Sequence, residues 1–486
     1  MKSFYITTTL PYVNNDPHVG FAMEIIRADV IARAKAAQGY NVFFNTGTDE
    51  HGQKLFTAAD AAGVPVQEYV DRYAVGFRGL VALLGITPEV HFIRTTDAHH
   101  IASAQAFWKR VQDNGFIYKK NYEAKYCVGC ELEKTDSELT EEGRCPIHPN
   151  RDIDIINEEN YFFAYSKLEK ELQALYDAHP QFVIPDFRFN EMKAFLSRGL
   201  QDFSISRLKS KMSWGVPVPG DEDHVMYVWF DALTNYISTL GWPEDIETFT
   251  SFWKDGTPVQ YCGKDNTRQQ SSMWQAMLIA AGLPTSAHIV VNGFINSGGQ
   301  KMSKSLGNVI SPYDIIEQFK PAAGVLAHDV VRYYLLRHMN SFEDSDMTLE
   351  SINEAYQANL ANGLGNLVSR IMTLSAAHCA PHVAMVTDAE LQKEVSLAID
   401  TFDLQKGMNS IWKAIADLDH TIAETKPFSV IKTNHDEGVV MIDELVSKLA
   451  MIAEALTAFM PDTAAQIQTL IAQNKKPEAP LFNRIG

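Results

Sequence analysis

Apolar residues along the first 115 positions alternate between two spacings, one typical of buried strands and the other of helices. Short apolar runs predict strands at residues 4–9, 41–45 and 91–94. After the first run, apolar residues recur at helical spacing, with Asp16 and Pro17 predicted as N-cap and first helical residue and Gly39 as the stop. This alternation predicts a parallel α/β sheet.

The pattern changes at residue 116, where tyrosine-rich segments typical of hairpins begin and continue to about residue 223. Strand and helix patterns then alternate again, with strands predicted at residues 225–230, 259–262 and 288–291. Beyond residue 346, apolar residues recur at helical spacing over long stretches, and no clear strand pattern appears. The expected fold is therefore one doubly wound α/β domain, interrupted by an insertion and followed by a helical region.

Composition limits the class of protein. The chain has 486 residues, 46% apolar and 21% charged, as expected for a globular protein of several domains. The most apolar segment, 445–460, contains Lys448 and Glu454 at helical spacing, which predicts an amphipathic helix and no membrane association. The N-terminus lacks the apolar centre of a signal peptide, so a cytoplasmic location is expected. The net charge of −18 argues mildly against a nucleic acid partner, although one basic face would suffice.

Three of the five cysteines lie within nineteen residues and form a pattern with one histidine. Cys127-x2-Cys130 and Cys145-x2-His148 offer four soft ligands in two pairs, joined by a polar loop. Four such ligands suit tetrahedral Zn²⁺ and leave no open position for catalysis, so we predict a structural zinc knuckle. The alternative is two unrelated turns that happen to contain cysteines.

Two motifs predict a site for an anionic phosphate. His18-Val19-Gly20-Phe21 follows the first predicted strand and opens a helix, whose N-terminus favours negative charge. Lys301-Met302-Ser303-Lys304-Ser305, about 280 residues later, offers two flexible ammonium groups after Gly298-Gly299. No Walker A, G-x-S-x-G, H-E-x-x-H or dinucleotide motif is present, which removes the commonest ATPase, hydrolase and dehydrogenase interpretations.

Polar residues also follow two predicted strands at their carboxyl ends, where α/β sheets bind ligands. Asp49 follows one strand, and Lys264-Asp265 follow another. The alternative for Asp49 is a carboxylate that caps a helix or a turn. Four aromatic residues could belong either to the core or to the wall of a pocket: Tyr12, Trp229, Tyr236 and Trp274. Polar residues near them in the sequence favour the wall of a pocket.

Several segments together resemble the methionyl-tRNA synthetases, a branch of the class I aminoacyl-tRNA synthetases, over essentially the whole chain. They are residues 10–14 (LPYVN), 46–52 (TGTDEHG), the knuckle with 159–163 (ENYFF), 214–219 (WGVPVP), 228–233 (VWFDAL) and the Lys301 pentad. Many class I synthetases share the pentad, whereas the tryptophan segments are more specific to the methionine branch.

The resemblance implies an α/β fold with a Rossmann-type doubly wound catalytic domain in two parts, residues 1–115 and 225–292. It also implies a connective-peptide insertion with the zinc knuckle (116–224), a stem-contact region with the lysine loop (293–345) and an all-α helical bundle that binds the anticodon (346–486). The implied reaction joins methionine and ATP, with Mg²⁺, into methionyl-adenylate, and then transfers methionine to the terminal ribose of tRNA. A monomer is expected.

The resemblance also assigns residues. The residues implied for ATP binding are His18, Gly20, Lys264, Asp265, Lys301 and Lys304. Of these, His18, Lys301 and Lys304 would be catalytic. Asp49 would hold the amino group of methionine, and the rest of the amino acid would contact Leu10, Tyr12, Trp229, Ala232, Tyr236, Asn266, Gln270 and Trp274. The residues implied for the anticodon are Asn366, Arg370 and Phe428.

Four positions depart from the family pattern. Phe21 stands where the first motif usually ends in histidine, and Asn266 and Gln270 replace a common aliphatic residue and a common histidine. Phe428 replaces a tryptophan that would stack on the anticodon, and its alternative is a core residue after Pro427. Two other functions remain open: a class I synthetase for another apolar amino acid, and a catalytically degenerate paralogue that binds tRNA.

Overall fold

The computed structural model describes residues 2–130, 132–302, 307–381 and 389–485. The chain forms two compact units, the first of Met1–Asp16, Gly39–Gly79 and Glu89–Val291, and the second of Pro17–Gln38, Leu80–Pro88 and Asn292–Gly486. The described strands are β1 (Ser3–Thr8), β2 (Asn41–Thr48), β3 (His91–Arg94), β4 (Ile117–Cys127), β5 (Leu132–Lys134), β6 (Asp154–Phe163), β7 (Val183–Ile184), β8 (Phe203–Ser204), β9 (Ser206–Leu208), β10 (Pro217–Val218), β11 (Asp221–Met226), β12 (Thr257–Gly263), β13 (His288–Asn292), β14 (Ile295–Ser297), β15 (Gln300–Lys301) and β16 (Ser345–Asp346).

Helices account for most of the remaining described chain. They are α1 (Val19–Ala37), α2 (Gln53–Ala62), α3 (Val66–Leu83), α4 (Ala98–Asp113), α5 (Glu169–Ala178), α6 (Asp186–Leu196), α7 (Val228–Ala232), α8 (Asn235–Ser238), α9 (Ile246–Phe249), α10 (Trp274–Ala280), α11 (Pro312–Ala323), α12 (Ala327–Arg337), α13 (Leu349–Ala355), α14 (Asn366–His378), α15 (Ala389–Asp400), α16 (Leu404–Thr425), α17 (Pro427–Thr433), α18 (His435–Leu456) and α19 (Pro461–Gln473). Three segments of the described chain are π-helical: Thr250–Lys254, Gln269–Met273 and Tyr356–Gly365.

The first unit is built on a six-stranded sheet in the order β3-β2-β1-β12-β13-β7. β1 lies between β2 and β12 and runs parallel to both. The predicted strands at 4–9, 41–45, 91–94, 259–262 and 288–291 all lie in this sheet, which confirms the doubly wound α/β class. β2 runs further than predicted because its polar residues are buried and paired, as in the 2.8 Å hydrogen bond between the hydroxyls of Thr46 and Thr8.

The insertion contains antiparallel strands, as its tyrosine-rich segments predict, but it also contains α5 and α6, and its β7 pairs in parallel with β13 in the six-stranded sheet. β4 and β6 pair from Ile117–Phe163 to Tyr126–Asp154, within a sheet of order β5-β4-β6-β8. The predicted strand at 225–230 is wrong, because β11 ends at Met226 and α7 begins at Val228. A short apolar run cannot be distinguished from a buried helix by periodicity, and the helical turn packs Phe230 against Phe107 and Trp108.

The second unit contains α1, which is buried on almost all sides. The prediction that Asp16 caps this helix is wrong: the N-cap is His18, whose backbone is extended and whose ring accepts the N–H of Gly20. The imidazole therefore satisfies a helix N–H that a carboxylate two residues earlier would not. The predicted stop is confirmed, because α1 ends at Ala37 and Gly39 has φ of +85°.

A buried ion pair fixes α1 within the second unit. Asp29 and Arg332 are both fully buried, and Nη2 of Arg332 lies 2.7 Å from the Asp29 carboxylate. Arg332 also donates to the carbonyls of Phe459 at 2.8 Å and Ala458 at 3.1 Å. A buried guanidinium needs this many acceptors to offset its desolvation.

The rest of the second unit is largely helical. From Leu349 to Gln473 every regular element in the described part of the chain is a helix, which confirms the predicted C-terminal helical region. The predicted amphipathic helix corresponds to α18. Within the described ranges, no helix combines the length and the apolar character needed to cross a membrane.

Candidate active site and metal centre

His18 occupies the N-terminus of α1 and is exposed. Its Nδ1 accepts a hydrogen bond from the backbone N–H of Gly20 at 3.0 Å. Because Nδ1 accepts, the ring is neutral and carries its proton on Nε2, which can donate to an anion. A Cβ at Gly20 would stand 2.8 Å from Cε1 of His18, so this ring position requires glycine. The structure thus provides a donor at the helix N-terminus, where phosphate is favoured.

The lysine motif lies in the same unit as His18. Lys301 ends β15, which pairs with β14 after a turn at Gly298 and Gly299, where φ is +61° and +74°. Lys304 lies outside the described residues. Beyond the motif, the carbonyl of Ile310 accepts a 3.2 Å hydrogen bond from the N–H of Val19. The first predicted phosphate motif is therefore bonded to the segment that follows the second.

Asp49, in the first unit, lies at the carboxyl end of β2 and is 4% exposed. Its N–H donates to the carbonyl of Pro11 at 3.0 Å, and it forms a parallel bridge with Tyr12. The following helix, α2, has Gly52 as its N-cap, so the alternative that Asp49 caps a helix does not hold. Asp49 is a buried carboxylate at the sheet edge where ligands bind.

Glu50, the next residue, is held by several donors. Arg94 binds its two carboxylate oxygens at 2.7 Å each, and Thr48 donates to the same carboxylate at 2.6 Å. The indole N–H of Trp214 donates to the Glu50 carbonyl at 2.6 Å. A bidentate arginine–carboxylate pair fixes geometry strongly. The network therefore immobilises the loop that carries Asp49.

Asp231 is fully buried between two histidines. Its carboxylate lies 2.6 Å from Nδ1 of His51 and 2.8 Å from Nε2 of His100, whose Nδ1 contacts Ser238 at 2.8 Å. Burial alone would raise the pKa of Asp231, but the attraction of His51 and hydrogen bonds from both histidines outweigh it and lower the pKa to about 2. This triad joins α7 to the loop after β2.

The predicted methionine residues fall into two apolar groups in the first unit. Ala232 is buried in a cluster with Tyr227 and Val228, against which Tyr12 and Trp229 pack. Tyr236 and Trp274 belong to the main core, with ring centroids 5.9 Å apart, and Trp229 packs against this core as well. Leu10 is buried. Tyr236 and Trp274 are therefore core residues, whereas Tyr12 and Trp229 are partly buried, and contact of these residues with methionine stays a prediction.

The remaining predicted ligand residues of the first unit follow β12. Lys264, Asp265 and Asn266 form a 3₁₀ turn, in which Nδ2 of Asn266 donates to Asp265 at 3.4 Å. Gln270 is buried, and its Nε2 donates to the hydroxyl of Tyr236 at 2.5 Å. It lies in the π-helical segment Gln269–Met273, a feature common at functional sites.

The four predicted metal ligands lie together. Their donor atoms all fall within 4.8 Å of one another. Sγ of Cys130 lies 3.5 Å from Sγ of Cys145 and 3.3 Å from Nδ1 of His148, and Cys127 lies 3.8 Å from the same nitrogen. A tetrahedral zinc ion with its usual bond lengths separates its ligands by about 3.4–3.8 Å. The residues fit such an ion, and the alternative of two unrelated turns is wrong.

The predicted anticodon residues lie in the helical region. Asn366 begins α14 and is exposed, directly after the π-helical segment Tyr356–Gly365. Nη1 of Arg370 lies 2.5 Å from the carboxylate of Asp419. Phe428 is 43% exposed, so the alternative that it is a core residue is wrong. Their contact with tRNA stays a prediction.

Sequence reasoning missed several residues that support the site. Glu50, His51 and Asp231 lie inside segments that carried the family resemblance, so their position was the available signal. Arg94 and His100 gave no local signal, because their partners are 44 and 131 residues away.

Comparison with known proteins identifies the class and then the family. A family model described as tRNA synthetases class I (M) matches residues 4–153 and 149–372. The methionine–tRNA ligase of Thermotoga maritima is 39% identical over 98% of this chain and 76% of its own length, and that of Mesorhizobium japonicum is 36% identical over 97% and 92%. A Mycobacterium tuberculosis methionyl-tRNA synthetase solved with methionyl-adenylate is 33% identical, with a TM-score of 0.90 over 99% of this chain and 100% of its own.

The fold, the site and the family model define a class I aminoacyl-tRNA synthetase. Within that class, the chain belongs to the methionyl-tRNA synthetase family.

Proposed function

We propose that this chain activates methionine with ATP and transfers it to tRNA, using the residues assigned from the sequence. The observation that carries the proposal is Asp49, a buried carboxylate bridged to Tyr12 beside an apolar cluster. A free amino acid with an apolar side chain needs this combination, an anion for its ammonium group next to apolar walls. The M. tuberculosis relative, solved with methionyl-adenylate, supports the same substrate.

In the first step, the methionine carboxylate attacks the α-phosphorus of ATP in line, and pyrophosphate leaves with the electrons of the broken P–O bond. The protein forms no covalent bond to either substrate in this step. It therefore accelerates the reaction by positioning methionine and ATP and by stabilising the charge of the transition state. Nε2–H of His18 would donate to a phosphate oxygen, and Lys301 and Lys304 would stabilise charge that develops in the transition state. Mg²⁺ would accompany ATP, bound chiefly by its phosphates.

In the second step, a terminal ribose hydroxyl of tRNA attacks the carbonyl carbon of methionyl-adenylate, and AMP leaves. The helical region would select the tRNA through Asn366, Arg370 and Phe428, which are supported by their exposure or polar character. Arginine and asparagine can pair with base edges, and an exposed aromatic ring can stack on a base.

Cys127, Cys130, Cys145 and His148 would hold Zn²⁺, which would stabilise the fold of the insertion. The described cysteines form no disulfides, which fits a reducing compartment, and we place the protein in the cytoplasm. We also propose a monomer, the state expected from the sequence.

Substitution of His18 tests the role of its Nε2 proton. Asparagine is a favoured N-cap, and its shorter side chain has no atom at the position of Nε2. His18→Asn should therefore preserve the cap and the melting temperature while removing the donor from that position. We expect adenylate formation in a single turnover to slow by about 10²–10³, the usual effect of losing one such donor. His18→Ala should lose the cap as well, so both its melting temperature and its rate of adenylate formation should fall. An unchanged rate in His18→Asn would contradict the assigned role.

A further inference from the structure

A cavity of about 440 Å³ lies in the first unit, outside the residues assigned to methionine and ATP. Gly52, in the loop after β2, lines it together with Tyr227 and Val228 at the start of α7. Other lining residues belong to the insertion and include Val128 and Ile155. The activation step assigned above does not use this cavity.

A single apolar cluster joins the cavity to the predicted methionine residues. Tyr126 and Tyr227 line the cavity and belong to the buried cluster that contains Ala232. Tyr12 and Trp229 pack against the same cluster. A ligand in the cavity would therefore lie next to the bound amino acid.

The order of the strands separates the cavity from the residues assigned to ATP in this unit. Lys264 and Asp265 follow β12, and β1 lies between β12 and β2. Neighbouring strands lie about 4.8 Å apart, so β2 and β12 are about 10 Å apart. In the described chain, Gly52 after β2 lines the cavity and no residue of the turn after β12 does. ATP bound at that turn would leave this side of the methionine site open to the second substrate.

The aromatic part of the lining suits a flat base. The ring centroids of Tyr126 and Tyr227 are 6.5 Å apart, and the guanidinium of Arg207 lies 4.9 Å and 4.4 Å from them. Nη1 of Arg207 also donates to the hydroxyl of Ser204 at 2.9 Å. The guanidinium therefore fixes both rings in one wall, and aromatic and guanidinium faces are the partners on which unpaired bases stack.

A buried carboxylate supplies a polar partner for the same ligand. Glu158 lines the cavity, and its side chain is 3% exposed. Its Oε1 accepts from Nδ2 of Asn160 at 2.8 Å, and its Oε2 lies 2.9 Å from Nζ of Lys211. A carboxylate oxygen accepts more than one hydrogen bond, so a ligand can donate a further one, as the amino group of adenine does. The Lys211 side chain, 58% exposed, adds a cation at the rim for a phosphate.

We propose that this cavity binds the terminal adenine of tRNA during transfer, with the base on the tyrosine wall and its amino group on Glu158. Transfer RNAs end in adenosine, and the ribose of that adenosine supplies the attacking hydroxyl of the second step. A base in the cavity places this ribose beside the predicted methionine site, on the side away from the turn after β12. This inference rests on the proposed function.

A substitution at the rim tests the cavity without disturbing the core. Ile155 lines the cavity and is 57% exposed, so Ile155→Trp fills space in it without replacing a buried side chain. The matched control is Ile246→Trp. Ile246 is 53% exposed, lies in α9 of the same unit and does not line the cavity.

The measurement is single-turnover transfer from preformed methionyl-adenylate, beside methionine-dependent pyrophosphate exchange. One substrate is tRNA, and the other is tRNA whose terminal ribose carries hydrogen in place of adenine. With the unsubstituted protein, we expect the base-free tRNA to react at least about fivefold more slowly, the low end of the effect of losing one stacked base.

Ile155→Trp should slow transfer to normal tRNA by at least the same factor and leave pyrophosphate exchange unchanged. It should slow transfer to the base-free tRNA much less, because no base then competes with the indole for the cavity. Ile246→Trp should match the unsubstituted protein with both substrates.

The contact with Glu158 has its own substrate, a tRNA that ends in purine riboside and lacks only the amino group. We expect transfer to this tRNA to be at least about threefold slower than to normal tRNA, the effect of losing one hydrogen bond. An equal rate would overturn the assigned contact with Glu158.

Normal transfer by Ile155→Trp, or equal slowing with normal and base-free tRNA, would overturn the inference. Slower pyrophosphate exchange in Ile155→Trp would also overturn it, because the cavity would then serve activation. Absence of methionine-dependent exchange in the unsubstituted protein would overturn the proposed function and the inference with it.

Discussion

The backbone N–H of Val19 donates to the carbonyl of Ile310 at 3.2 Å. Val19 is the first residue of α1, next to His18, and Ile310 follows the lysine pentad. The first N–H groups of a helix have no partner within the helix, so this bond uses a donor that would otherwise need water or a ligand. It joins one motif of the proposed ATP site to the segment that follows the other, although nearly 300 residues separate Val19 from Ile310 in the chain.

Val19→Pro tests this bond directly. Proline fits the first position of a helix and the extended backbone of His18 before it. The substitution removes the N–H, and it also exchanges a fully buried side chain for a ring, which the alanine control must account for. We expect a cost of about 1 kcal/mol in stability and a fall in adenylation rate of about tenfold. The control is Val19→Ala, which keeps the N–H. Equal rates in the two variants would show that the bond does not support the chemistry.

The triad of Asp231, His51 and His100 predicts how stability depends on pH. The pKa of Asp231 is lowered in the folded protein to about 2 from 3.8, so the carboxylate stabilises the fold above pH of about 4 and loses this effect as the pH falls toward 2. Its contribution is about 2 kcal/mol. Asp231→Asn should therefore melt well below the unsubstituted protein at pH 6, and the gap should narrow below pH 4.

Thermal melting across this pH range checks the prediction. Asp113→Asn is the control, because Asp113 is an exposed carboxylate in an i,i+4 pair with Lys109 and such pairs contribute little. A gap between Asp231→Asn and the unsubstituted protein that stays constant down to pH 2 would contradict the assignment.

The metal centre predicts an effect of a residue that is not a ligand. A Cβ at Gly129 would lie 2.4 Å from Cγ of His148, so Gly129→Ala must displace the imidazole although all four ligands remain. We expect this variant and Cys145→Ser to lose zinc during purification and to loosen the insertion. Elemental analysis gives the metal content. Cys379→Ser, outside the cluster, should keep one metal ion per chain, and a metal-free unsubstituted protein would refute the site.

A substitution in the helical region should weaken tRNA binding without affecting the activation of methionine. Phe428→Ala should raise the apparent KM for tRNA, because an aromatic stacking partner contributes about 1–3 kcal/mol per base. Pyrophosphate exchange and melting temperature should change little, because the side chain is 43% exposed. Phe187→Ala provides a control with a phenylalanine of similar exposure in α6. If both variants charge tRNA like the unsubstituted protein, Phe428 does not contact the anticodon.

The sequence predicted those parts of the fold that depend on local pattern. The strands at the centre of the sheet and the stop of α1 at Gly39 follow from apolar spacing and glycine. The helix at Val228 was missed because burial of Phe230 and pairing of Asp231 with two histidines outweigh the strand preference of an apolar run.

The position of a candidate site residue was predictable where a motif holds it in one segment, whereas its role stays a prediction. The zinc ligands, Asp49 and the His18 motif meet that condition. The pairs of Glu50 with Arg94 and of Asp231 with His100 do not, because they join residues 44 and 131 positions apart. The link between Val19 and Ile310 is likewise made by backbone groups, which carry no residue identity.

The central claim, that this chain activates methionine with ATP at the site described, is tested most directly by pyrophosphate exchange with each proteinogenic amino acid in turn. We expect exchange with methionine to exceed that with every other amino acid, and Asp49→Ala to abolish it while the protein remains folded. Stronger exchange with another apolar amino acid, or no exchange with any, would contradict the account.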